Sequence, residues 1–245
     1  MLYEHPDLYD ALLHPGAHLA HYAALAERHP GPVLELGCGT GQLLVPVARA
    51  GRGVVGLDLS RPMLDAARRR ASRAGVVVEL VEGDMRSFDL GRRFSLVFVA
   101  RNSLLHLSTA EEFLATFAAV RRHLAPGGAF ALDVFNPNVR LLARPPGERH
   151  LVMRRPSEAF GELTVEEITD YDAAAQVNHA TWYISAPGRP DAWVAPLRLR
   201  SIFPQELPLL LAAGGFRLLS RAGDMDGSPF RSDSLRQVCV CDAGA

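Results

Sequence analysis

The 245-residue chain contains no lysine, and all 26 of its basic side chains are arginines. Schiff-base catalysis, a P-loop lysine and a kinase-type phosphate clamp all need that amine and are excluded. Net charge is also scarce, at -1. A long polyanion needs a basic face, so no nucleic-acid partner is expected. Three cysteines, Cys38, Cys239 and Cys241, cannot build a disulfide framework. Two sulfurs without neighbouring Cys or His make a poor zinc site, and no metal is expected. No uncharged apolar run approaches the ~20 residues that a membrane span requires. The opening stretch MLYEHPDLYD lacks the basic-then-apolar pattern of a secretory signal, so a cytoplasmic location is expected.

What the chain does contain is a regular alternation. Short runs rich in Val, Leu and Phe occur at 33–36, 53–57, 75–81, 95–100 and 129–135. Fully apolar strands of this kind suit a parallel sheet covered on both faces. Between them lie segments of helical period at 42–49, 61–73 and 110–124, the last with Ser108 as its expected cap and Glu111 and Glu112 in its first turn. Strict alternation of the two implies a doubly wound α/β sheet. From Pro137 to Phe203 no helix is expected; runs at 162–171, 176–185 and 193–202 alternate as strands of an antiparallel meander. A helix from Pro204 to Ala213, stopped by Gly214 and Gly215, and strands at 216–221 and 235–242 complete the chain.

The most informative stretch is Val33-Leu-Glu-Leu-Gly-Cys-Gly-Thr-Gly41, where the first strand turns into a helix. Glycines 37, 39 and 41 let backbone approach a ligand closely. A dinucleotide fingerprint requires G-x-G-x-x-G, and here the third glycine comes one residue early, with Gln42 in its place. Glu35 also sets negative charge where a pyrophosphate would lie. A nicotinamide-dependent oxidoreductase is thereby disfavoured, and a cationic or zwitterionic ligand fits better.

On these residues the sequence resembles the class I S-adenosylmethionine-dependent methyltransferases. The resemblance covers about residues 30–135 and implies S-adenosylmethionine as cofactor. Glu35, Gly37, Cys38, Gly39 and Gly41 match the turn that holds its amino-acid end. Asp58 matches the acid that accepts from both ribose hydroxyls, as a carboxylate can. Leu59 and Met63 match positions flanking the adenine, Asp84 the acceptor from its amino group, and Met85 a backbone contact to the ring; Ala100 closes the set after the fourth strand. Leu124-Ala-Pro-Gly-Gly128 completes the pattern, and the strand pair ending at Asp242 fits the family's reversed final hairpin. The implied fold is a seven-stranded, mostly parallel sheet with a reversed final strand, plus an inserted antiparallel β meander. Residues 1–137 and 203–245 would form the cofactor-binding core and 138–202 a lid like that of amino-sugar and glycine N-methyltransferases.

Arg101, Asn102 and His106 follow the fourth strand and are placed to line the reacting end. The ordinary pKa of His106 suits a base, the alternative being a histidine packed beneath its loop. Tyr9 lies in Leu8-Tyr-Asp10, similar to an element that folds over the cofactor; its hydroxyl would hold the methionine carboxylate or the acceptor, or its ring would anchor a helix. Tyr22 is read as helix packing, and Arg68, Arg69, Arg70 and Arg73 as a solvated helix face. The chain lacks an Asn-Pro-Pro-aromatic element after strand four, a Pro-Cys nucleophile and a paired acidic loop, which leaves a small-molecule acceptor; the resemblance of the lid to that of N-methyltransferases implies methylation on nitrogen, or with less support on oxygen. A non-catalytic cofactor-binding module remains the alternative. An exposed meander edge would suit a homodimer.

Overall fold

The computed structural model describes residues 2–244. A 3-10 turn at Leu2–Glu4 leads into α1 (Pro6–Leu12) and α2 (Ala17–Arg28), followed by β1 (Val33–Leu36), α3 (Leu44–Arg49), β2 (Val54–Asp58), α4 (Arg61–Ala74), β3 (Glu79–Glu82) and β4 (Phe94–Val99). A second 3-10 turn, Ser103–His106, precedes α5 (Ala110–His123), β5 (Leu124–Phe135) and α6 (Val139–Leu142). Strands β6 (Arg149–Ser157), β7 (Gly161–Asp172), β8 (Val177–Ala186) and β9 (Arg189–Arg200) come next, then α7 (Glu206–Ala213), β10 (Phe216–Ala222) and β11 (Arg236–Ala243).

The main sheet has the order β10-β11-β5-β4-β1-β2-β3. Strands β1 to β5 pair in parallel, while β11 runs antiparallel to both β5 and β10. This is the expected seven-stranded sheet with one reversed strand. Each side carries its own apolar layer: Phe113, Phe117 and Leu211 belong to one, Tyr22, Leu25 and Leu64 to the other. Cys239 and Cys241 are fully buried in the first layer, and burial raises both thiols, Cys239 to about 12. The second sheet, β6-β7-β8-β9, is antiparallel throughout. Its apolar face packs on Leu2, Leu8 and Leu12, so the N-terminal segment joins the two sheets.

Local details depart from the sequence reading for identifiable reasons. The cap of α5 is Thr109, not Ser108: Thr109 Oγ1 accepts from Glu112 N while the Glu112 carboxylate accepts from Thr109 N, each at 3.3 Å. That capping box satisfies donors at both ends of one turn. β3 begins at Glu79 instead of Gly75, because Gly75 adopts φ 66 to close α4. β6 escaped notice because charges occupy both of its phases and Pro156 interrupts it; it is an edge strand, where proline is tolerated. A short helix, α6, also lies where none was expected, started by Asn138 Oδ1 accepting from Arg140 N at 3.0 Å. Among the described residues no helix is long and apolar enough to cross a membrane.

Candidate active site

The carboxyl ends of β1, β2, β4 and β5 converge on the glycine turn. Gly37 N and Cys38 N both donate to Leu57 O, at 2.7 and 3.1 Å, which folds the turn back on β2. Gly37 has φ 68, and a Cβ there would lie 2.9 Å from that of Ser103, so neither the backbone nor the space admits a side chain. Asp58 braces the same turn: its carboxylate accepts from Gly39 N and Ser60 N, each at 2.8 Å. Burial nevertheless pushes the Asp58 carboxyl above its ordinary value, against the pull of those amides.

Glu35 is only 3% exposed, and its Oε2 has no hydrogen-bond partner. Burial raises its carboxyl well above the usual range, although Arg101 acts in the opposite direction. It faces a cavity shared with Tyr9, Gly37, Gln42, Arg101 and Ser103. Arg101 is anchored in this wall by two of its five donors, NH1 to Gln42 Oε1 at 2.6 Å and NH2 to Leu13 O at 2.9 Å, with its guanidinium 5.6 Å from the Tyr9 ring centre. An orphaned acid and a guanidinium in one small cavity suit the ammonium and carboxylate of an amino acid.

Arg101 and Asn102 both take left-handed backbone, φ 56 and 67, which non-glycine residues rarely adopt. Asp133, fully buried on β5, holds this corner. Its Oδ1 accepts from Arg101 N at 2.9 Å and from Tyr22 Oη at 2.7 Å, its backbone oxygen from Asn102 N at 3.3 Å, and His18 Nε2 lies 3.2 Å from Oδ2. Tyr22 is thus more than packing, though it does stack on Phe98 with centroids 4.6 Å apart. Asn102 directs its Oδ1 to Phe135 N at 2.7 Å, tying β4 to β5.

His106 ends the 3-10 turn that begins at Ser103, a cavity residue, and its Nε2 is 2.7 Å from Tyr3 Oη while the two rings meet edge-on at 5.5 Å. Burial raises the Tyr3 phenol well above its ordinary pKa, so it stays protonated and donates to Nε2; desolvation of the His106 ring lowers that of the imidazole. Strand β9 packs against both turns that carry this pair. Of the positions matched to the adenine, Met63 is buried, Leu59 is 64% exposed, and Met85 packs beside Gly37. Asp84 is chelated by Arg86, which also bonds Glu112, and Arg86 holds its carboxyl low.

Sequence reasoning missed Tyr3, Asp133 and His18, and it misplaced Arg70. An acid inside the apolar run Ala131-Leu-Asp-Val134 was a legible signal for Asp133. Arg68 and Arg69 are exposed as expected, but Arg70 is half-buried and ion-paired with Asp10. Helical period puts it on the inward stripe with Met63, Ala66 and Ala67.

A mostly parallel α/β sheet whose first turn is glycine-rich, with acids near the carboxyl ends of β1 and β2 at a shared cleft, defines a nucleoside-cofactor-binding domain. The "methyltransferase domain" family model matches residues 33–128. The chain is 31% identical to the CcbJ methyltransferase from Streptomyces caelestis, whose structure superposes with a TM-score of 0.81 over 94% of this chain and 90% of that one. It is also 39% identical over 132 residues to a cypemycin N-terminal methyltransferase from a Streptomyces species, a match covering 54% of this chain and 53% of the relative. A dTDP-3-amino-3,4,6-trideoxy-alpha-D-glucopyranose N,N-dimethyltransferase from Streptomyces venezuelae matches at 40% over 101 residues, 41% of each chain. The chain thus spans about half the length, or less, of these two relatives. The chain belongs to the class I S-adenosylmethionine-dependent methyltransferases.

Proposed function

We propose that this methyltransferase methylates the nitrogen of a small-molecule amine, with residues 138–202 covering the acceptor. The observation that carries the reading is the Tyr3–His106 hydrogen bond under β9. Amines arrive largely as ammonium ions near neutral pH, so a lone pair must be freed before displacement. The lowered pKa keeps His106 neutral and able to take a proton. A proton given to Tyr3 Oη is matched by movement of the phenol's own proton to Nε2, and the imidazole, part of whose surface meets solvent, passes it on.

S-adenosylmethionine, when bound, supplies an electrophilic methyl group on a sulfonium whose sulfur keeps the bonding pair as the acceptor nitrogen attacks. Glu35 and Arg101 would hold its amino-acid end, Asp58 its ribose hydroxyls, and the Leu59, Met63, Asp84 and Met85 group its adenine. Ala100 and Cys38 add only small walls to that cleft, and Asn102 keeps the corner in shape. Tyr9 closes the roof and excludes water. Relatives that act on a peptide N-terminus and on an amino sugar support nitrogen as the atom methylated.

The test is an amine panel read by mass spectrometry for methylated product and S-adenosylhomocysteine. His106→Ala should lower kcat/KM by about 10²-fold or more while cofactor affinity stays within a factor of about two. Cofactor binding without turnover of any amine, or product methylated on oxygen, would overturn the reading.

A further inference from the structure

The N-terminal segment carries a polar clasp on the face opposite its apolar one. Leu8 and Leu12 of α1 bury themselves on the second sheet, among Leu163, Val165 and Ile184. Asp10 points the other way. Its Oδ1 accepts from Thr40 Oγ1 and from Gln42 Nε2, each at 2.5 Å, and its Oδ2 accepts from Arg70 NH2 at 2.5 Å. Arg70 also donates Nε to Thr40 O at 2.9 Å, so one guanidinium grips both α1 and the glycine turn. Gln42 passes the connection to Arg101, which returns to Leu13 O just after α1.

We propose that Asp10 and Arg70 are positioning residues: they clasp α1 shut against the glycine turn and α4, and thereby set how long the cofactor stays bound. Tyr9, next to Asp10, forms one wall of the cavity that contains Glu35 and Gly37. A ligand whose amino-acid end occupies that cavity leaves only when α1 lifts. Lifting α1 requires Asp10 to give up three hydrogen bonds at once, two of them to the glycine turn and one to α4. Arg70 does not line that cavity; its hydrogen bond to the glycine turn goes to the main chain of Thr40.

The same helix backs the second sheet, so release of the clasp also loosens the wall over the acceptor side. Because the Arg70 and Asp10 side chains are 37% and 28% exposed, the clasp is partly screened by salt.

The proposal rests on the cofactor assignment and not on the identity of the acceptor, so its test needs no acceptor. Stopped-flow displacement of bound S-adenosylhomocysteine by excess S-adenosylmethionine measures release directly. Arg70→Ala should accelerate release about threefold to tenfold, the range for one partly exposed, multiply bonded ion pair, and raise KM for cofactor more than it lowers kcat. Asp10→Ala should do at least as much, and the double variant no more than Asp10→Ala alone, because both changes open one clasp. Arg70→Lys should restore part of the effect, since an ammonium reaches Asp10 without forking to Thr40 O. Wild-type release should quicken with ionic strength, and Arg70→Ala release should not. Unchanged release in Arg70→Ala, or additive effects in the double variant, overturns the clasp while leaving cofactor binding itself intact. A purely structural role for Arg70 would lower the unfolding midpoint without moving the release rate.

Discussion

Replacing Asp133 by alanine tests whether the buried hub holds the reacting corner. The carboxylate is fully buried and receives Tyr22 Oη, Arg101 N and His18 Nε2, with Arg236 NH1 3.5 Å from Oδ2. Alanine leaves at least two donors, the fully buried Tyr22 hydroxyl and the Arg101 amide, without acceptors. Each orphaned buried donor costs about 1–3 kcal/mol, and shared neighbours make the sum less than additive, so Asp133→Ala should lose about 3–5 kcal/mol. That is a large part of the ~5–15 kcal/mol of a typical domain, equivalent to about 6–20 °C in Tm at this size. Asp133→Asn keeps an oxygen for Tyr22 and Arg101 and should lose only about 1 kcal/mol. Urea unfolding, followed by circular dichroism, measures both. Alanine within about 1 kcal/mol of wild type, or no worse than asparagine, would refute the hub. A pH series adds an independent check. Burial pushes the Asp133 carboxyl up, but the bonds and charge of His18, with the Arg101 amide and Tyr22, outweigh it and hold the carboxyl below its ordinary value. Its contribution is full above the unfolded aspartate pKa, ~3.9, and is lost as pH falls through the lower folded value, so Asp133→Asn should flatten that acid limb.

Two further outcomes follow from the glycine turn and its acid. Glu35 is raised by burial, so the folded chain keeps its proton above the ordinary glutamate range, and its ionisation disfavours folding as pH rises through that window. A cationic amino group restores the charged form; cofactor binding should release a proton and tighten with pH. Calorimetry in two buffers of different ionisation enthalpy detects this, and Glu35→Gln should abolish both the proton release and the pH slope. Gly37→Ala and Gly39→Ala separate two kinds of strain: both positions have positive φ, but only at Gly37 would the new Cβ meet Ser103 at 2.9 Å. Thermal unfolding should show Gly39→Ala destabilised by about 1–2 kcal/mol and Gly37→Ala by clearly more; equal losses would contradict the clash.

The parts that could be read in advance are those governed by local rules. Apolar runs of strand length, helical period between them and a glycine turn with acids at fixed offsets each depend on a few neighbouring residues, so the sheet and the cofactor turn were visible in one dimension. The fully buried β1, and β4, buried except at Ser95, show why: every position is apolar except Glu35 in one and Ser95 in the other, and Glu35 is the acid at the cofactor turn. Where local signals conflict, as in the charged, proline-bearing β6, the strand exists only because β7 pairs with it.

The sequence by itself determined the parallel sheet and the order of its motifs, because hydrophobic period and turn chemistry act over a few residues, and the resemblance those motifs carry implied the cofactor. Only the tertiary structure decided which side chains meet. Tyr3 reaches His106, Asp10 reaches Arg70, and His18 and Tyr22 reach Asp133 across long separations in the chain. A polar side chain carries no label for its partner; desolvation makes each buried donor and acceptor find one, and the packing of α1 and α2 onto the two sheets chose which.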